Sequence, residues 1–201
     1  MKTIYMMRHS QALKCNNIEN NDSLQLQNEK LALTVNGESI AKEKSQIEEL
    51  QDFNIVFSSN YVRAIATAKY FTKDKVNVVE SFGERKFGIS KWEDLPENFE
   101  EKQSKDFDYK LDNGESLNEV LSRELVSLNK ILNEYSNKKI LIVGHSTAMV
   151  ALFSNWCERQ DNGTYKFNGK EFFDGKWNYC QTFKLEFDDN FNLHNVENIK
   201  I

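Results

Sequence analysis

The chain has 201 residues, and we predict a single domain over residues 1–201 because about 100–200 residues is the usual length of one domain. Its formal net charge of −5 argues against general binding to nucleic acid or to an anionic membrane. No stretch has the apolar length of a membrane span or a signal peptide. Cys15, Cys157 and Cys180 have neither metal-ligand nor disulfide spacing, so a reducing cytoplasm is the expected compartment.

Segments with strand character and helix character alternate along the chain. Residues 2–7 form the first predicted strand, residues 15–30 a predicted loop, and Thr34 the predicted N-cap of a helix that continues to Leu50. Further strands are predicted at 54–58, 76–79 and 139–143, and further helices at 61–72, 115–135 and 147–157. Residues 82–93 are predicted as irregular, and residues 96–108 as a short helix and loop.

Two segments of alternating polarity, 177–187 and 191–201, predict a closing hairpin. Strand–helix alternation followed by a hairpin predicts an α/β fold. Its expected form is a three-layer α/β/α sandwich with a mostly parallel central sheet and a C-terminal β-hairpin.

Two predicted strands end next to a histidine. The first leads into Arg8-His9, the fourth into Gly144-His145, and Arg63 follows the second strand by one helical turn. The carboxyl ends of parallel strands share one edge of a sheet, which is where ligands bind in such folds. We therefore expect Arg8, His9, Arg63 and His145, referred to below as the basic cluster, to meet there.

The basic cluster suits phosphoryl transfer. Arginines and helix N-termini attract phosphate oxygens, and an imidazole can attack phosphorus in line. No metal or other cofactor is required if these cations carry the charge of the phosphoryl group. The leaving oxygen still needs an acid; Glu84 is the leading candidate, with Glu80 and Glu93 as competitors.

Six motifs, taken in chain order, resemble those of the histidine phosphatase superfamily, which includes the phosphoglycerate mutases. They are Arg8-His9, Leu33-Thr34-Val35-Asn36-Gly37, the run from Ser58 to Ala68, Glu84-Arg85-Lys86-Phe87-Gly88, Gly114-Glu115-Ser116-Leu117 with Arg123, and Gly144-His145. The resemblance implies a small phosphorylated substrate, phosphate as a product and neither metal nor cofactor. Neither the particular phosphomonoester nor the oligomeric state can be read from these motifs.

The resemblance also implies roles for individual residues. His9 would be the nucleophile that becomes phosphohistidine, and Arg8, Arg63 and His145 would bind the phosphoryl group. His145 would also stabilise the transition state. Glu84 would protonate the leaving group and then activate water. Groups near Asn16 and Ser146 would add hydrogen bonds to the substrate.

The sequence departs from the family pattern at three places. Ser10 stands where most members have glycine, and Asn16 falls one position late. Residues 92–112 are short and acidic and contain no arginine, whereas mutases carry a longer insertion with paired arginines there. This favours a phosphatase over a mutase, although Arg85 is a mutase-like feature that keeps the mutase alternative open.

Two further alternatives remain. Gly144-His145-Ser146-Thr147-Ala148 resembles the nucleophile elbow of a serine hydrolase, with Ser146 as nucleophile. That enzyme would need His194 as its base with Asp161, Asp174, Asp188 or Asp189, and it would leave Arg8 and Arg63 without a role. The other alternative is a phosphate-binding module without turnover. His194 is otherwise predicted to be structural or exposed, and Arg123 to form a salt bridge rather than to bind substrate.

Overall fold

The computed structural model describes residues 1–14 and 22–200. Its strands are β1 (Lys2–Arg8), β2 (Ile55–Ser58), β3 (Asn77–Val78), β4 (Lys139–Gly144), β5 (Glu158–Arg159), β6 (Tyr165–Phe167), β7 (Lys170–Phe173), β8 (Thr182–Phe187) and β9 (Leu193–Ile199). Its helices are α1 (Leu24–Lys30), α2 (Val35–Lys44), α3 (Val62–Ala68), α4 (Phe99–Lys105), α5 (Leu117–Glu134) and α6 (Ser146–Phe153). No helix within these described ranges has the length and apolarity needed to cross a membrane.

A six-stranded sheet with the order β3-β2-β4-β1-β8-β9 forms the centre of the fold. The strands β1, β2, β3 and β4 are parallel, while β8 and β9 are antiparallel and close the sheet as a hairpin. The predicted α/β fold, its mostly parallel sheet and its C-terminal hairpin are therefore confirmed.

The alternation of side chains along β1 divides the core into two layers. Ile4 and Met6 pack on the face covered by α5 and α6, with Leu128 and Phe153 among their neighbours. Tyr5 and Met7 belong to the opposite face, where α2 and α3 contribute residues such as Ala41 and Ala64. Strands that are apolar on both faces are buried between helices, which gives the predicted three layers.

Two segments contain secondary structure that the sequence does not predict. Residues 24–30, predicted as loop, form α1, because Ser23 caps the helix through Leu26 N and places Leu24 and Asn28 on one buried face. The small antiparallel sheet β5-β6-β7 was not predicted at all. Its strands have two to four residues each, which is too short for a period to emerge.

The predicted N-cap at Thr34 is confirmed, since its side chain accepts a hydrogen bond from Gly37 N. The helix that follows is shorter than predicted: α2 ends at Lys44, and a separate 3-10 turn covers Glu48–Leu50. The apolar residues up to Leu50 fit the helical period, but Leu50 reaches the core through this second turn.

Candidate active site

Adjacent strand ends bring the two histidines together. Arg8 at the end of β1 is paired with Gly144 at the end of β4, and His9 N donates to Gly144 O at 3.0 Å. The rings of His9 and His145 lie 5.1 Å apart between centroids at an angle of 61°. The structure thus places both histidines at one edge of the sheet, as the strand pattern predicts.

The contacts of His9 determine which of its nitrogens can react. Nδ1 lies 2.6 Å from Ser10 O, and a carbonyl can only accept, so Nδ1 carries the proton. Nε2 therefore carries the lone pair, which accepts a hydrogen bond from Arg63 Nε at 3.1 Å. Burial, followed by the charges of Arg63 and Arg8, lowers the pKa of His9 to about 3. His9 is therefore a neutral imidazole with Nε2 facing Arg63.

Arg63 is held from both sides. Its Nη1 donates to Asn28 O at 2.6 Å and to Asn28 Oδ1 at 3.2 Å, and its guanidinium lies 4.6 Å from the Tyr61 ring centroid. Asn28 belongs to α1, so sequence reasoning missed it as a supporting residue. The available signal was Ser23 as an N-cap, with Leu24 and Asn28 four residues apart on one helix face.

Arg8 and His145 each carry a polar atom that the rest of the described chain does not satisfy. Arg8 Nη1 donates to Trp177 O at 3.0 Å, while its Nε is buried without a partner among the described residues. His145 Nε2 shares a hydrogen bond of 2.9 Å with Ser59 Oγ, and its Nδ1 is likewise buried and unpaired. Buried polar groups are nearly always paired, so such atoms are typical of a site that binds a polar ligand.

Glu84 lies at the N-terminus of α6, beside His145. Its carboxylate accepts hydrogen bonds from Ala148 N at 3.1 Å, Thr147 N at 3.3 Å and Arg85 N at 3.0 Å. Of the two competing carboxylates, Glu80 is 78% exposed beside Lys86, and Glu93 is exposed as well. Glu84 is thus the one of these three carboxylates that the fold fixes beside a member of the basic cluster.

Arg123 supports the segment that carries Glu84. It forms an ion pair with Glu115 at 2.9 Å, which confirms the predicted salt-bridging role. It also donates to the backbone carbonyls of Ser81, of Gly83 at 3.1 Å and of Glu84 at 3.3 Å. The guanidinium of Arg123 therefore links α5 to the turn that precedes Glu84.

The side chain of Ser10 points away from the basic cluster. Its hydroxyl donates to Gly37 O at 2.7 Å, and its backbone N donates to Thr67 Oγ1 at 3.0 Å. Ser10 is fully buried and is not among the residues with positive φ. The serine in place of glycine is accommodated by α2 and takes no space beside the histidines.

The remaining predicted residues are placed as follows. Ser146 is the first residue of α6 and is half-buried next to His145. Asn16 lies outside the described residues. His194 is 58% exposed on β9 and pairs with Asp188 at 3.5 Å. The pairing of Leu193 with Phe187, and of Phe187 with Lys2, puts His194 at the opposite end of the sheet from Ser146.

This placement of His194 removes the base that the serine hydrolase alternative requires.

The site contains two guanidinium groups, two uncharged imidazoles and one carboxylate. Within the described ranges, no group of three or more histidines, cysteines or carboxylates is arranged to hold a metal ion. The arrangement can hold a phosphoryl dianion through its cations and present a nitrogen lone pair to phosphorus.

Comparison with known proteins agrees with this geometry. The model of the histidine phosphatase superfamily (branch 1) matches residues 4–190, and the chain belongs to that superfamily. One curated relative, the uncharacterized phosphatase PhoE of Bacillus subtilis (strain 168), is 30% identical over 127 residues. That match spans 62% of this chain and 64% of the relative.

Solved structures show the same fold. A mycobacterial glucosyl-3-phosphoglycerate phosphatase in complex with VO3 has a TM-score of 0.73 at 16% identity, covering 100% of both chains. A phosphoserine phosphatase from Entamoeba histolytica in complex with 3-phosphoglyceric acid has a TM-score of 0.67 at 18% identity, covering 100% of this chain and 98% of that one.

Proposed function

We propose that this protein is a metal-independent phosphatase that hydrolyses phosphomonoesters through a phosphohistidine on His9. The observation that carries the proposal is the fixed tautomer of His9, whose Nε2 lone pair faces the guanidinium of Arg63. Two arginines supply positive charge where a metal ion would otherwise be needed. The names of the relatives and neighbours also support a phosphatase.

The proposed reaction has two steps. His9 Nε2 attacks phosphorus while the bond to the leaving oxygen breaks, and Glu84, which is protonated for this step, donates its proton to that oxygen so that a neutral alcohol departs and Glu84 is left as a carboxylate. Water then attacks the phosphohistidine, Glu84 takes a proton from it, and the P–N bond breaks to release phosphate. Arg8, Arg63 and His145 bind the phosphoryl oxygens throughout, with Ser146 and Asn16 as additional proposed contacts.

A mutase would have to retain the alcohol and return the phosphoryl group to it. Arg85, the mutase-like residue, is 2% exposed, lies over the rings of Phe87 and Phe99, and is ion-paired with Glu100. These contacts neutralise its charge and hold it in the protein. Together with the lack of arginine in residues 92–112, they favour release of the alcohol and hence hydrolysis.

The test is to trap the phosphoenzyme. The parent, mixed with a phosphorus-labelled aryl phosphate and quenched in alkali, should retain label that is lost in acid, because P–N bonds are acid-labile. His9→Ala should retain no label and show no turnover while unfolding at the parent's temperature. Turnover by His9→Ala at the parent's rate would show that His9 is not the nucleophile.

The same experiment separates the alternatives. A binding module would bind phosphate but release none from any substrate between mildly acidic and neutral pH. A mutase would convert 3-phosphoglycerate into its isomer faster than it releases phosphate.

A further inference from the structure

Ser59 is a buried serine that the proposed reaction does not use. It follows β2 directly, and both Ser59 and His145 are fully buried. Its Oγ lies 2.9 Å from Nε2 of His145. Its backbone N donates at 3.0 Å to Val143 O on the neighbouring strand β4, which ends beside His145. The pairing of two strand ends therefore fixes the distance between this hydroxyl and the imidazole.

Two aromatic rings restrict the imidazole of His145. Measured between centroids, the ring of Tyr61 lies 4.5 Å away and that of His9 lies 5.1 Å away, both edge to face. Rings packed at these distances leave little room for the imidazole to rotate. Nε2 therefore stays next to Ser59. Nδ1, which is buried without a partner among the described residues, is the nitrogen left to bind a ligand.

The hydrogen bonds of Ser59 show which group donates in its contact with His145. Ser59 Oγ already accepts a hydrogen bond from Tyr61 N at 3.3 Å. A hydroxyl has one proton to donate, and within the described part of the chain its acceptor is Nε2 of His145. If Nε2 carried a proton instead, the hydroxyl proton would be buried without an acceptor there, which is costly. Ser59 therefore donates, and Nε2 accepts.

The proton of His145 accordingly lies on Nδ1. Burial above all holds the pKa of His145 well below its ordinary value, so the ring is neutral and has a single proton. Because Nε2 accepts from Ser59, that proton is on the other nitrogen. A protonated Nδ1 can donate to a phosphoryl oxygen, whereas a bare Nδ1 would direct its lone pair at the lone pairs of the phosphate.

The same tautomer has opposite consequences in the two histidines. In His9 the proton on Nδ1 is bound by Ser10 O, which leaves the bare Nε2 for attack on phosphorus. In His145 the bare Nε2 is bound by Ser59 Oγ, which leaves the protonated Nδ1 for a phosphoryl oxygen. One imidazole is thus arranged as a nucleophile and the other as a hydrogen-bond donor.

We propose that Ser59 is a positioning residue that keeps His145 in the Nδ1–H tautomer, so that a neutral imidazole donates a hydrogen bond to the transferring phosphoryl group. The inference rests on the proposed function and adds the origin of this donor. Ser59 acts through the imidazole and not on the substrate directly, since its proton is bound by Nε2.

A role of Ser59 in the backbone turn before α3 does not account for this contact. The hydrogen bond from Tyr61 N uses a lone pair of the hydroxyl and leaves its proton available. The preceding residue, Ser58, is also fully buried, and its hydroxyl donates to a backbone carbonyl, Ser59 O, at 2.9 Å. The two adjacent serines therefore separate the loss of a buried hydrogen bond from the loss of the contact with His145.

The tautomer can be read from long-range proton–nitrogen NMR spectra, in which protonated and bare imidazole nitrogens resonate far apart. The chain has three histidines, so the spectrum of His145→Gln assigns His145 by difference. The parent should show a bare Nε2 and a protonated Nδ1 at neutral pH. Ser59→Ala removes the donor and should populate the Nε2–H tautomer. Ser59→Thr, which keeps the hydroxyl, and Ser58→Ala, the matched control, should keep the parent's pattern.

Activity should follow the tautomer. Because only molecules with a protonated Nδ1 are competent, kcat/KM for phenyl phosphate should fall in proportion to their fraction. A variant with four fifths of its molecules in the Nε2–H form should lose about fivefold. Ser59→Thr and Ser58→Ala should stay close to the parent. A merely structural role of Ser59 would lower the unfolding temperature of Ser59→Ala and leave the tautomer unchanged.

A protonated Nε2 at His145 in the parent would overturn the tautomer assignment, and this measurement needs no variant. If Ser59→Ala changed only the tautomer or only kcat/KM, or neither, the positioning role would be wrong. It would also be wrong if Ser58→Ala changed both as much as Ser59→Ala does. Failure of the parent to hydrolyse phenyl phosphate would instead overturn the proposed function, and the NMR spectrum would still decide the tautomer.

Discussion

The protonation of His9 depends on its immediate neighbours. Burial and the guanidinium of Arg63 keep the imidazole neutral, and the hydrogen bond to Ser10 O keeps its proton on Nδ1. A neutral ring is what nucleophilic attack requires. The arginine therefore has two proposed effects: it binds the phosphoryl group, and it keeps the nucleophile unprotonated before substrate arrives.

Replacing Arg63 by glutamine should accordingly change the titration of His9. The parent's His9 should remain neutral at pH 5, since its pKa is about 3. Arg63→Gln removes a positive charge next to Nε2 and should raise the pKa of His9 by roughly one unit. The imidazole nitrogen shifts in an NMR titration report this directly. Arg159→Gln, remote from the ring, should leave the titration unchanged, and an unchanged His9 pKa in Arg63→Gln would contradict the assignment.

Glu84→Gln should separate substrates by their leaving groups. A poor leaving group such as an alkyl alcohol needs the proton, whereas an activated aryl group departs largely without it. We expect kcat/KM, which reports the first step only, to fall by about 10²–10⁴ for alkyl phosphates and far less for nitrophenyl phosphate. Plotting log kcat/KM against the pKa of the leaving alcohol makes the comparison. Equal losses across the series would move the acid role to Glu80 or Glu93.

Glu124 is a buried carboxyl that the proposed mechanism does not use. It is 1% exposed on α5, and burial raises its pKa to about 8, with Glu84 and Glu115 adding to the effect and Arg123 opposing it. A folded pKa above the unfolded value of about 4.3 means that the folded state binds more protons between these two pH values. Its contribution is therefore fully favourable below pH 4.3 and is lost as the pH rises toward 8.

Glu124→Gln removes this dependence. The free energy of unfolding of Glu124→Gln, minus that of the parent, should rise between pH 5 and pH 8 by up to about 1.4 kcal/mol per pH unit. Urea denaturation at several pH values measures the difference. Glu134→Gln, at the exposed end of the same helix, serves as the control and should follow the parent. A gap between Glu124→Gln and the parent that stays constant with pH would show that Glu124 is already ionised.

At the scale of elements, the loop after β1 and the start of α2 depend on each other. Ser10 Oγ donates to Gly37 O, and Thr34 N donates to Gln11 O at 3.0 Å. A Cβ built on Gly37 would lie 2.0 Å from Gln11 O, so only glycine allows this approach. The position of His9 thus depends on how closely α2 can approach the neighbouring loop.

Gly37→Ala should therefore lower both stability and activity. Overpacking against backbone atoms typically costs about 1–3 kcal/mol. The added methyl group would also displace Gln11, and this displacement would move the residues beside His9. Thermal unfolding and kcat measured on the same sample test this. Val35→Ala, an 88% exposed position on the same helix, should change neither quantity. Unchanged kcat in a destabilised Gly37→Ala would mean that the loop holds His9 without help from α2.

The sequence predicts the elements that are long and regular. Apolar runs ending next to Arg8, Gly144 and Ser58 identify strand ends, because strand period and the start of the next helix are local signals. The contacts that hold the side chains of the candidate site join residues that are far apart in the sequence. The contacts of Arg63 with Asn28 and of Arg8 with Trp177 join residues 35 and 169 positions apart, and no short pattern encodes them.

At the scale of the whole molecule, an anion at the basic cluster should stabilise the fold. Vanadate, which adopts the trigonal bipyramidal geometry of the transition state, is the natural probe. At 100 times its Kd, a ligand that binds only the folded state adds about 2.7 kcal/mol. For a chain of this size that corresponds to a rise in Tm of roughly 5–10 °C. Arg63→Gln should show a much smaller rise, and sodium chloride of equal ionic strength controls for salt.

No change in the parent's Tm at any vanadate concentration would contradict an anion site at the basic cluster. The net charge of −5 makes the test stringent, because the protein as a whole repels anions. Any stabilisation must then come from a local group of cations.

The central position of β1 has a consequence for protein synthesis. The strand β1, which leads into the proposed nucleophile His9, pairs with β4 on one side and with β8 on the other. Arg8 is also held by Gln181 O through its backbone and by Trp177 O through its side chain. During translation, the contacts of Arg8 therefore cannot form until Trp177, which lies 169 positions later, has been synthesised. A nascent chain halted before β8 has emerged should be catalytically silent, and activity should appear only after that strand leaves the exit tunnel.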